Sequence, residues 1–168
     1  KDPEKYITGA FVKIAYFNND NTLAFQDEIH GNLFIQSEQT MDLLLRKYLK
    51  ALVSYDGLNR IERYPLPEAA LREALLNAIA HKDYSSANPI QIKVYDHKVI
   101  LFNEGELPAD WTVKNLKVEH TSKPFNPDIA NTLSKAGLIE AWGQGTLRII
   151  DECKKYKVAN PLFEQDVS

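Results

Sequence analysis

The stretch that decides the fold reads PEAALREALLNAIAH and spans residues 67–81. Nearly every residue in it is a strong helix former, and Pro67 suits the start of a helix, where no backbone N–H is required. We therefore predict a long helix over this stretch. Most of its positions are apolar, so the helix should lie largely within the core of the protein.

Three polar side chains interrupt the apolar surface of this helix. Glu73, Asn77 and His81 are spaced four residues apart, so each is rotated by about 40° from the last and the three form one stripe. If the stripe faces a cavity, the carboxylate and the amide could hold a water and a cation side by side. The alternative is structural, with Glu73 and Asn77 tethering neighbouring backbone at the edge of the core. The stripe alone leaves both interpretations open.

On the N-terminal side of this helix, the pattern predicts two strands and a further helix. Residues 6–16 and 23–35 are extended in pattern, and the polar turn residues between them predict a strand pair. Ser37 is predicted to cap a helix whose apolar positions continue at helical spacing to Val53. Residues 59–65 are predicted to form an extended connector.

On the C-terminal side, residues 90–95 and 98–103 predict two strands joined by a tight turn. Residues 104–125 have no sustained period and are predicted to form a long loop, a kind of segment that is usually functional or disordered. Two helices and a strand are then predicted, at 127–136 with Asn126 as the cap, at 145–156, and at 161–163.

The composition is that of an ordinary globular domain. The chain has 168 residues, of which 44% are hydrophobic and 26% charged, and this excludes a disordered, collagen-like or coiled-coil protein. Its net charge of −3 provides no overall positive field that would attract nucleic acid, although this charge does not exclude a local basic patch. The single cysteine, Cys153, cannot form an internal disulfide and suits a reducing compartment.

The longest apolar runs are far shorter than the roughly 20 residues that span a bilayer, and no signal-peptide core follows the charged start. We therefore predict a cytoplasmic protein with no membrane partner. Because the chain begins with lysine rather than methionine, we expect it to be a piece of a longer protein.

Two short motifs follow the predicted elements. Asn103-Glu104-Gly105 comes directly after a strand, and Gly143-Gln144-Gly145-Thr146 opens the last helix. A glycine turn at a helix N-terminus presents unpaired amides and the positive end of the dipole to an anion, an arrangement that favours phosphates. Neither G-x-x-x-x-G-K-[ST] nor G-x-G-x-x-G occurs in the chain, which excludes the P-loop and the dinucleotide fingerprint.

The order of these motifs resembles the N, G1 and G2 boxes of the GHKL (Bergerat-fold) ATPase superfamily, which unites gyrase, a heat-shock chaperone, histidine kinases and MutL. The stretches EALLNAIAHKDYS, VILFNEGELP, NPDIANTLSKAGLIE and WGQGTLRIIDEC are similar to the ATPase module of bacterial transcriptional regulators labelled RecG-like helicases. In that branch the module follows a Schlafen-type AlbA domain, and residues 6–60 are similar to the end of that domain. The resemblance thus covers most of the chain.

The resemblance implies a two-layer α/β sandwich of the Bergerat, histidine-kinase-ATPase-like type, with a mixed or antiparallel sheet covered by helices on one face. It divides the chain into residues 1–60, the end of the AlbA-like region with a connecting helix, and residues 61–168, an ATP-binding domain. Whether this domain is cut short at its C-terminus stays open. The implied cofactors are ATP and Mg²⁺.

The resemblance also implies roles for individual residues. Asn77 would ligate the Mg²⁺ that bridges the ATP phosphates, and Glu73 would orient or deprotonate the attacking water. Asn103 stands where the superfamily usually has an aspartate that reads the adenine amino group, so we expect weaker adenine binding, because an amide oxygen adds no charge. Gly105 would let the backbone pass close to the base. Gly143 and Gly145 would border the triphosphate with Thr146 as an additional donor, and residues 106–142 would form a lid in which Ser122, Lys123 and Asn126 match an S-R-N-P-like motif.

The predicted function is an ATP-binding module of a bacterial transcriptional regulator, and the residues leave ATP hydrolysis open. Lid closure would bias a neighbouring domain or a homodimer contact, and DNA would bind through the flanking AlbA-like region. The alternative is a nucleic-acid-binding or interaction module with a vestigial nucleotide pocket. Asn103 and the AlbA-like resemblance favour this alternative, whereas the acidic balance and the retained Glu73 and Asn77 oppose it. The residues do not support DNA unwinding. Phosphotransfer to protein, as in histidine kinases, is a less favoured third option, because no dimerisation helix with a phospho-acceptor histidine precedes the module.

Overall fold

The structure, a computed structural model, describes residues 2–139 and 143–165. In these ranges the chain forms six strands and four α-helices. The strands are β1 (Val12–Phe17), β2 (Leu23–Ile29), β3 (Leu52–Asp56), β4 (Asn59–Arg63), β5 (Ile90–Val94) and β6 (Val99–Phe102). The helices are α1 (Leu33–Leu43), α2 (Glu68–His81), α3 (Pro127–Lys135) and α4 (Gly145–Tyr156).

Four of the strands form one mixed sheet in the order β2-β1-β5-β6. The β1–β2 and β5–β6 pairs are antiparallel, as expected for strands joined by short turns, whereas β1 and β5 are parallel. A parallel pair needs a long crossover, and the chain between β1 and β5 supplies it through α1 and α2. The predicted strand pairs are confirmed. β1 and β5 share this sheet although they lie on either side of residue 60, and the domain boundary at that residue stays a prediction.

The helices cover one face of the sheet. Buried apolar side chains of β1 and β5 form one core cluster with those of α2, and α2 also packs against α1, α3 and α4. Burial of this apolar surface stabilises the sandwich. The core includes Val12, Ile14, Ile90, Ile92, Val94, Leu75, Leu76 and Ile79. The predicted two-layer α/β sandwich is therefore confirmed, with a mixed sheet.

The helix before β3 differs from the prediction at both ends. Asn32, not Ser37, caps α1: its side-chain oxygen accepts hydrogen bonds from the backbone N–H groups of Phe34 and Ile35, both at 3.1 Å. Ser37 lies inside the helix, where its hydroxyl donates to a carbonyl of the preceding turn at 2.8 Å. At the other end the helix passes into one π-helical turn, and Val53 belongs to β3 because residues 52–56 pair with β4 instead of continuing the helix.

The remaining elements agree more closely with the sequence. The helix predicted over 67–81 begins one residue later, with Pro67 at the N-cap, and α4 has the predicted bounds. The long loop contains one 3₁₀ turn, Val113–Lys117. Residues 161–163 are not a strand within the described part of the chain, which corrects that prediction. None of the described helices is both long and apolar enough to cross a membrane.

Candidate functional site

The first turn of α4 lies directly against the polar stripe of α2. A β-carbon on Gly145 would lie 2.6 Å from Oε1 of Glu73 and 2.7 Å from Nδ2 of Asn77, closer than real side chains approach. Asn77 Nδ2 also donates to Glu73 Oε1 at 3.4 Å. The structure thus brings Glu73, Asn77 and Gly145 together.

The carboxylate of Glu73 is enclosed between two helices. The residue is only 7% exposed, and Arg148 of α4 approaches it with Nη1 at 3.9 Å from Oε2. A buried carboxylate requires such compensation, because burial without a partner is costly. Glu73 and Arg148 line a cavity of about 370 Å³ together with Glu68, Ala69, Arg72 and Leu138. Our sequence reasoning missed Arg148, although it follows Gly145 by three residues and therefore shares a face of α4 with it.

The first turn of α4 also contains a polar atom without a partner. The hydroxyl oxygen of Thr146 is buried and makes no hydrogen bond within the described part of the chain. The side chain of the N-cap residue, Gln144, makes no capping hydrogen bond to the first backbone N–H groups of this helix. A buried hydroxyl beside free amides at a helix N-terminus is suited to an anionic ligand.

The other end of the stripe packs against the residues that follow β6. A β-carbon on Gly105 would collide with the carbonyl oxygen of His81, and the N–H of Asp83 donates to the carbonyl of Glu104 at 2.6 Å. The side-chain amide of Asn103 donates to the same carbonyl at 3.3 Å. This contact lies about 12 Å along α2 from Glu73, at eight residues with 1.5 Å each. Asn103 and Gly105 are therefore at one end of the stripe, and Gly145 and Thr146 at the other.

The predicted lid contacts the glycine turn through Gly143. This residue has a left-handed backbone, with φ at +73°, and a β-carbon on it would collide with the carbonyl oxygen of His120. Lys123 is held inside the lid, where its ammonium donates to both carboxylate oxygens of Asp110 at 3.2 and 3.3 Å and lies over the ring of Trp111. Residues 140–142 of the predicted lid lie outside the described residues.

Asn126 fastens the end of the lid to α2. Its side-chain amide donates to the carbonyl oxygens of Ala80 at 3.1 Å and Lys82 at 2.7 Å, and its backbone N–H donates to that of Ala80 at 3.1 Å. Asn126 still precedes α3, but its side chain makes no capping hydrogen bond there, so the predicted cap is wrong. The last carbonyls of α2 need partners, and a residue more than 40 positions later supplies them.

Two basic residues at the end of α2 are enclosed. Burial lowers the pKa of His81, and the nearby His120 lowers it further. Burial also lowers the pKa of Lys82, which is 1% exposed and donates from Nζ to the carbonyl of Asp83 at 2.8 Å. The enclosed Lys82 ammonium is therefore a structural group in this state.

A metal ion at this site would take few ligands from the protein. In the ranges that the structure describes, no group of three or more His, Cys, Asp or Glu side chains is arranged to hold a metal. Asn77 and Glu73 offer oxygen atoms at the contact with Gly145, and this small set fits Mg²⁺, which usually keeps several waters and binds substrate phosphates. These two side chains do not fit a metal that takes all of its ligands from the protein.

The family comparison concerns the second half of the chain. Residues 87–168 match the family described as "Putative ATP-dependent DNA helicase recG C-terminal". The match includes Asn103, Gly105 and the glycine turn but begins after Glu73 and Asn77. No curated protein matches the chain.

The fold is similar to that in the crystal structure of the DIP2311 protein from Corynebacterium diphtheriae, with a TM-score of 0.78 and 19% sequence identity. The similarity covers 92% of this chain and 32% of that protein, so the chain spans about a third of its length. At this identity the likeness concerns the fold alone. From the family match, residues 87–168 are similar to an ATPase-like module.

Proposed function

We propose that the chain binds ATP together with Mg²⁺ in the cleft between α2, the residues after β6, the first turn of α4 and the lid. The contact of Gly145 with Glu73 and Asn77 supports this function most directly, because it joins a carboxylate, an amide and a glycine turn from distant parts of the sequence. The ATPase-like family match of residues 87–168 supports it independently.

In this proposal the two ends of the cleft have different roles. Asn77 holds Mg²⁺ through its amide oxygen, and the unpaired hydroxyl of Thr146 with the first amides of α4 binds phosphate oxygens. Bound Mg²⁺ supplies charge neutralisation of the phosphates. Asn103 and Gly105 border the base at the other end. Glu73, next to Asn77 and enclosed, accepts a proton from the attacking water if the module hydrolyses ATP.

The close contact in the structure implies that the cleft opens before nucleotide binds. Gly145 already lies against Glu73 and Asn77, so a triphosphate fits between them only after α4 and the lid move away from α2. Such a movement can bias a neighbouring domain, since binding energy shifts the populations of the two states. We propose this as the signal of a transcriptional regulator whose DNA contacts lie in the AlbA-like region.

The direct test is calorimetry of the purified chain with ATP and with a non-hydrolysable analogue. We expect saturable binding of both nucleotides with Mg²⁺ and a marked loss of affinity when a chelator removes Mg²⁺. Absence of binding under all these conditions would refute the proposal. A crystal grown with the analogue and Mg²⁺ should show density beside Asn77.

Replacing Glu73 by glutamine should retain ATP binding and remove turnover. The amide keeps the shape of the side chain but cannot accept the proton of water, and general-base catalysis contributes about 10²- to 10⁴-fold. We therefore expect phosphate release to fall at least about 100-fold with the dissociation constant for ATP nearly unchanged. The matched control is Glu38→Gln, an exposed carboxylate on α1 that does not line the cavity beside Glu73 and should leave turnover unaffected. Equal turnover in the Glu73 variant and the wild type would remove Glu73 from the mechanism.

The second candidate function is a nucleic-acid-binding or interaction module with a vestigial nucleotide pocket. Its support is the AlbA-like resemblance and Asn103, which stands where the superfamily has an acidic residue and whose amide donates to the carbonyl of Glu104. Filter binding of DNA and RNA over a salt series tests this function. A surface that contacts phosphates loses affinity steeply as salt rises, with a slope of about 0.9 per neutralised phosphate on duplex DNA. Nucleic-acid binding of this kind without ATP binding would favour the second function.

A further inference from the structure

The β3–β4 hairpin lies outside the main sheet. Its two strands pair only with each other among the described residues, and all ten strand residues are exposed. Large apolar side chains are among them: Tyr55 is 70% exposed and Leu52 is 69% exposed, and Leu58 at the turn is fully exposed. An isolated two-stranded hairpin is at best marginally stable in water, and an unpaired strand edge favours pairing with another chain.

The hairpin is nevertheless held at its base. The guanidinium of Arg63 donates to the carbonyl oxygen of Tyr156 at 2.5 Å and lies over the ring of that residue, with 4.4 Å to the centroid. The hydroxyl of Tyr156 donates to the carbonyl of Tyr64 at 2.8 Å. The last turn of α4 therefore fixes where the hairpin emerges, and the rest of it projects with its side chains in solvent.

The pairing of the hairpin determines which peptide groups of β4 point away from β3. Asp56 pairs with Asn59 across a two-residue turn, and Ser54 pairs with Ile61. In an antiparallel hairpin closed by such a turn, hydrogen-bonded and non-hydrogen-bonded pairs alternate, so the peptide groups of Ile61 face β3. Those of Arg60 and Glu62 consequently face away from β3 along the free edge.

The side-chain charges of this edge are self-complementary. When β4 pairs antiparallel with a second copy of itself about Ile61, Arg60 of each copy lies opposite Glu62 of the other. The two isoleucines meet at the centre, and each is 45% exposed in the single chain. Opposite charges directly across two strands stabilise the pairing and like charges oppose it. In the single chain the same two side chains form an ion pair along the strand, with 2.6 Å between Arg60 Nη2 and Glu62 Oε1.

We propose that β4 is a dimerisation edge, through which two copies of the chain join their hairpins into one four-stranded antiparallel sheet about a two-fold axis at Ile61. Such an interface is isologous, since the same residues contribute from both copies. It uses backbone hydrogen bonds for affinity and the Arg60–Glu62 pairs for register. The outer edge of β3 lacks this arrangement, because the same symmetry there places Leu52 opposite Asp56.

Charge reversal tests the proposal. We expect the wild-type chain to form dimers in sedimentation equilibrium at concentrations up to about 1 mM. Arg60→Glu places like charges opposite each other twice per interface, and Glu62→Arg does the same with the opposite sign. Each variant alone should therefore have a dimer dissociation constant at least about tenfold higher than that of the wild type.

Mixing the two variants distinguishes an effect at the dimer interface from an effect within one chain. The Arg60→Glu chain carries two carboxylates at the edge and the Glu62→Arg chain carries two guanidiniums, so a heterodimer restores opposite charges across both pairs. Neither variant keeps the ion pair along its own strand, and a purely intrachain effect would not be rescued. Native mass spectrometry with one variant isotopically labelled should show the heterodimer in excess over both homodimers.

The matched control is Arg46→Glu, which breaks a similar exposed ion pair to Asp42 on α1, with 2.6 Å between the charged atoms. This variant should dimerise like the wild type. A monomeric wild-type chain, single reversals that dimerise as tightly as the wild type, or a mixture without heterodimer would each overturn the proposal. The second result would indicate pairing through the β3 edge or another surface, and the third an effect within one chain.

Discussion

Replacing Asn77 by alanine is expected to abolish Mg²⁺-dependent ATP binding without unfolding the protein. Asn77 presents the amide oxygen at the contact between α2 and the glycine turn, and the proposed site has few other protein ligands. We expect the affinity for ATP with Mg²⁺ to fall at least about 100-fold, or about 2.8 kcal/mol. Calorimetry with and without Mg²⁺ measures this loss directly.

The fold should tolerate this substitution. The side chain is partly exposed, and its hydrogen bond to Glu73 is long at 3.4 Å, so the loss of this bond should cost about 1 kcal/mol or less. Arg46→Ala is the matched control, because Arg46 is exposed, does not line the cavity beside Glu73 and is paired with Asp42 of α1 at 2.6 Å. If the Asn77 variant binds Mg²⁺-ATP as well as the Arg46 variant, Asn77 is not the magnesium ligand.

Introducing alanine at Gly105 is expected to cause the largest loss of stability. The new β-carbon would collide with the carbonyl oxygen of His81, a backbone atom at the end of a buried helix that cannot move aside as a flexible side chain could. Overpacking of this kind costs about 3 kcal/mol. For a chain of this size, that corresponds to a fall in melting temperature of roughly 6–12 °C. Chemical denaturation gives the free energy of unfolding.

Gly57→Ala is a suitable comparison. Gly57 has a left-handed backbone with φ at +60°, but a β-carbon there would meet nothing within 4 Å. Its replacement should therefore cost only the backbone strain, about 1 kcal/mol. A Gly105 variant as stable as the Gly57 variant would show that the residues after β6 do not pack closely against α2.

Local patterns were sufficient for the elements that are regular along the sequence. The apolar content and helix formers of α2, the period of α4 and the alternation in β5 and β6 all predict what is observed. The helix before β3 was placed too late and extended too far. Ser37 and Asn32 are both good caps by type, and only the structure shows which side chain meets free N–H groups. At Val53, pairing with β4 outweighs the helical spacing.

The candidate site was predictable where its parts lie on regular elements. The spacing of Glu73 and Asn77 indicates a shared face, and the glycine turn before α4 indicates free amides, although their mutual contact depends on how the two helices pack. The contacts of Arg148 and Asn126 could not be predicted from the sequence. An arginine on a helix commonly lies in solvent, and an asparagine before a proline commonly caps the helix that follows. Their partners become visible only when distant segments come together.

The attachment of Asn126 to the end of α2 has a mechanical consequence. Gly105 and Asn126 bracket the intervening loop, and both meet the same turn of α2, so the loop leaves the body and returns at nearly one point. A loop attached in this way can rotate about one hinge, and its far side would then move farther than its base. A small displacement at this hinge, around Ala80 to Lys82, would therefore become a larger displacement at the glycine turn, some 12 Å away along the helix.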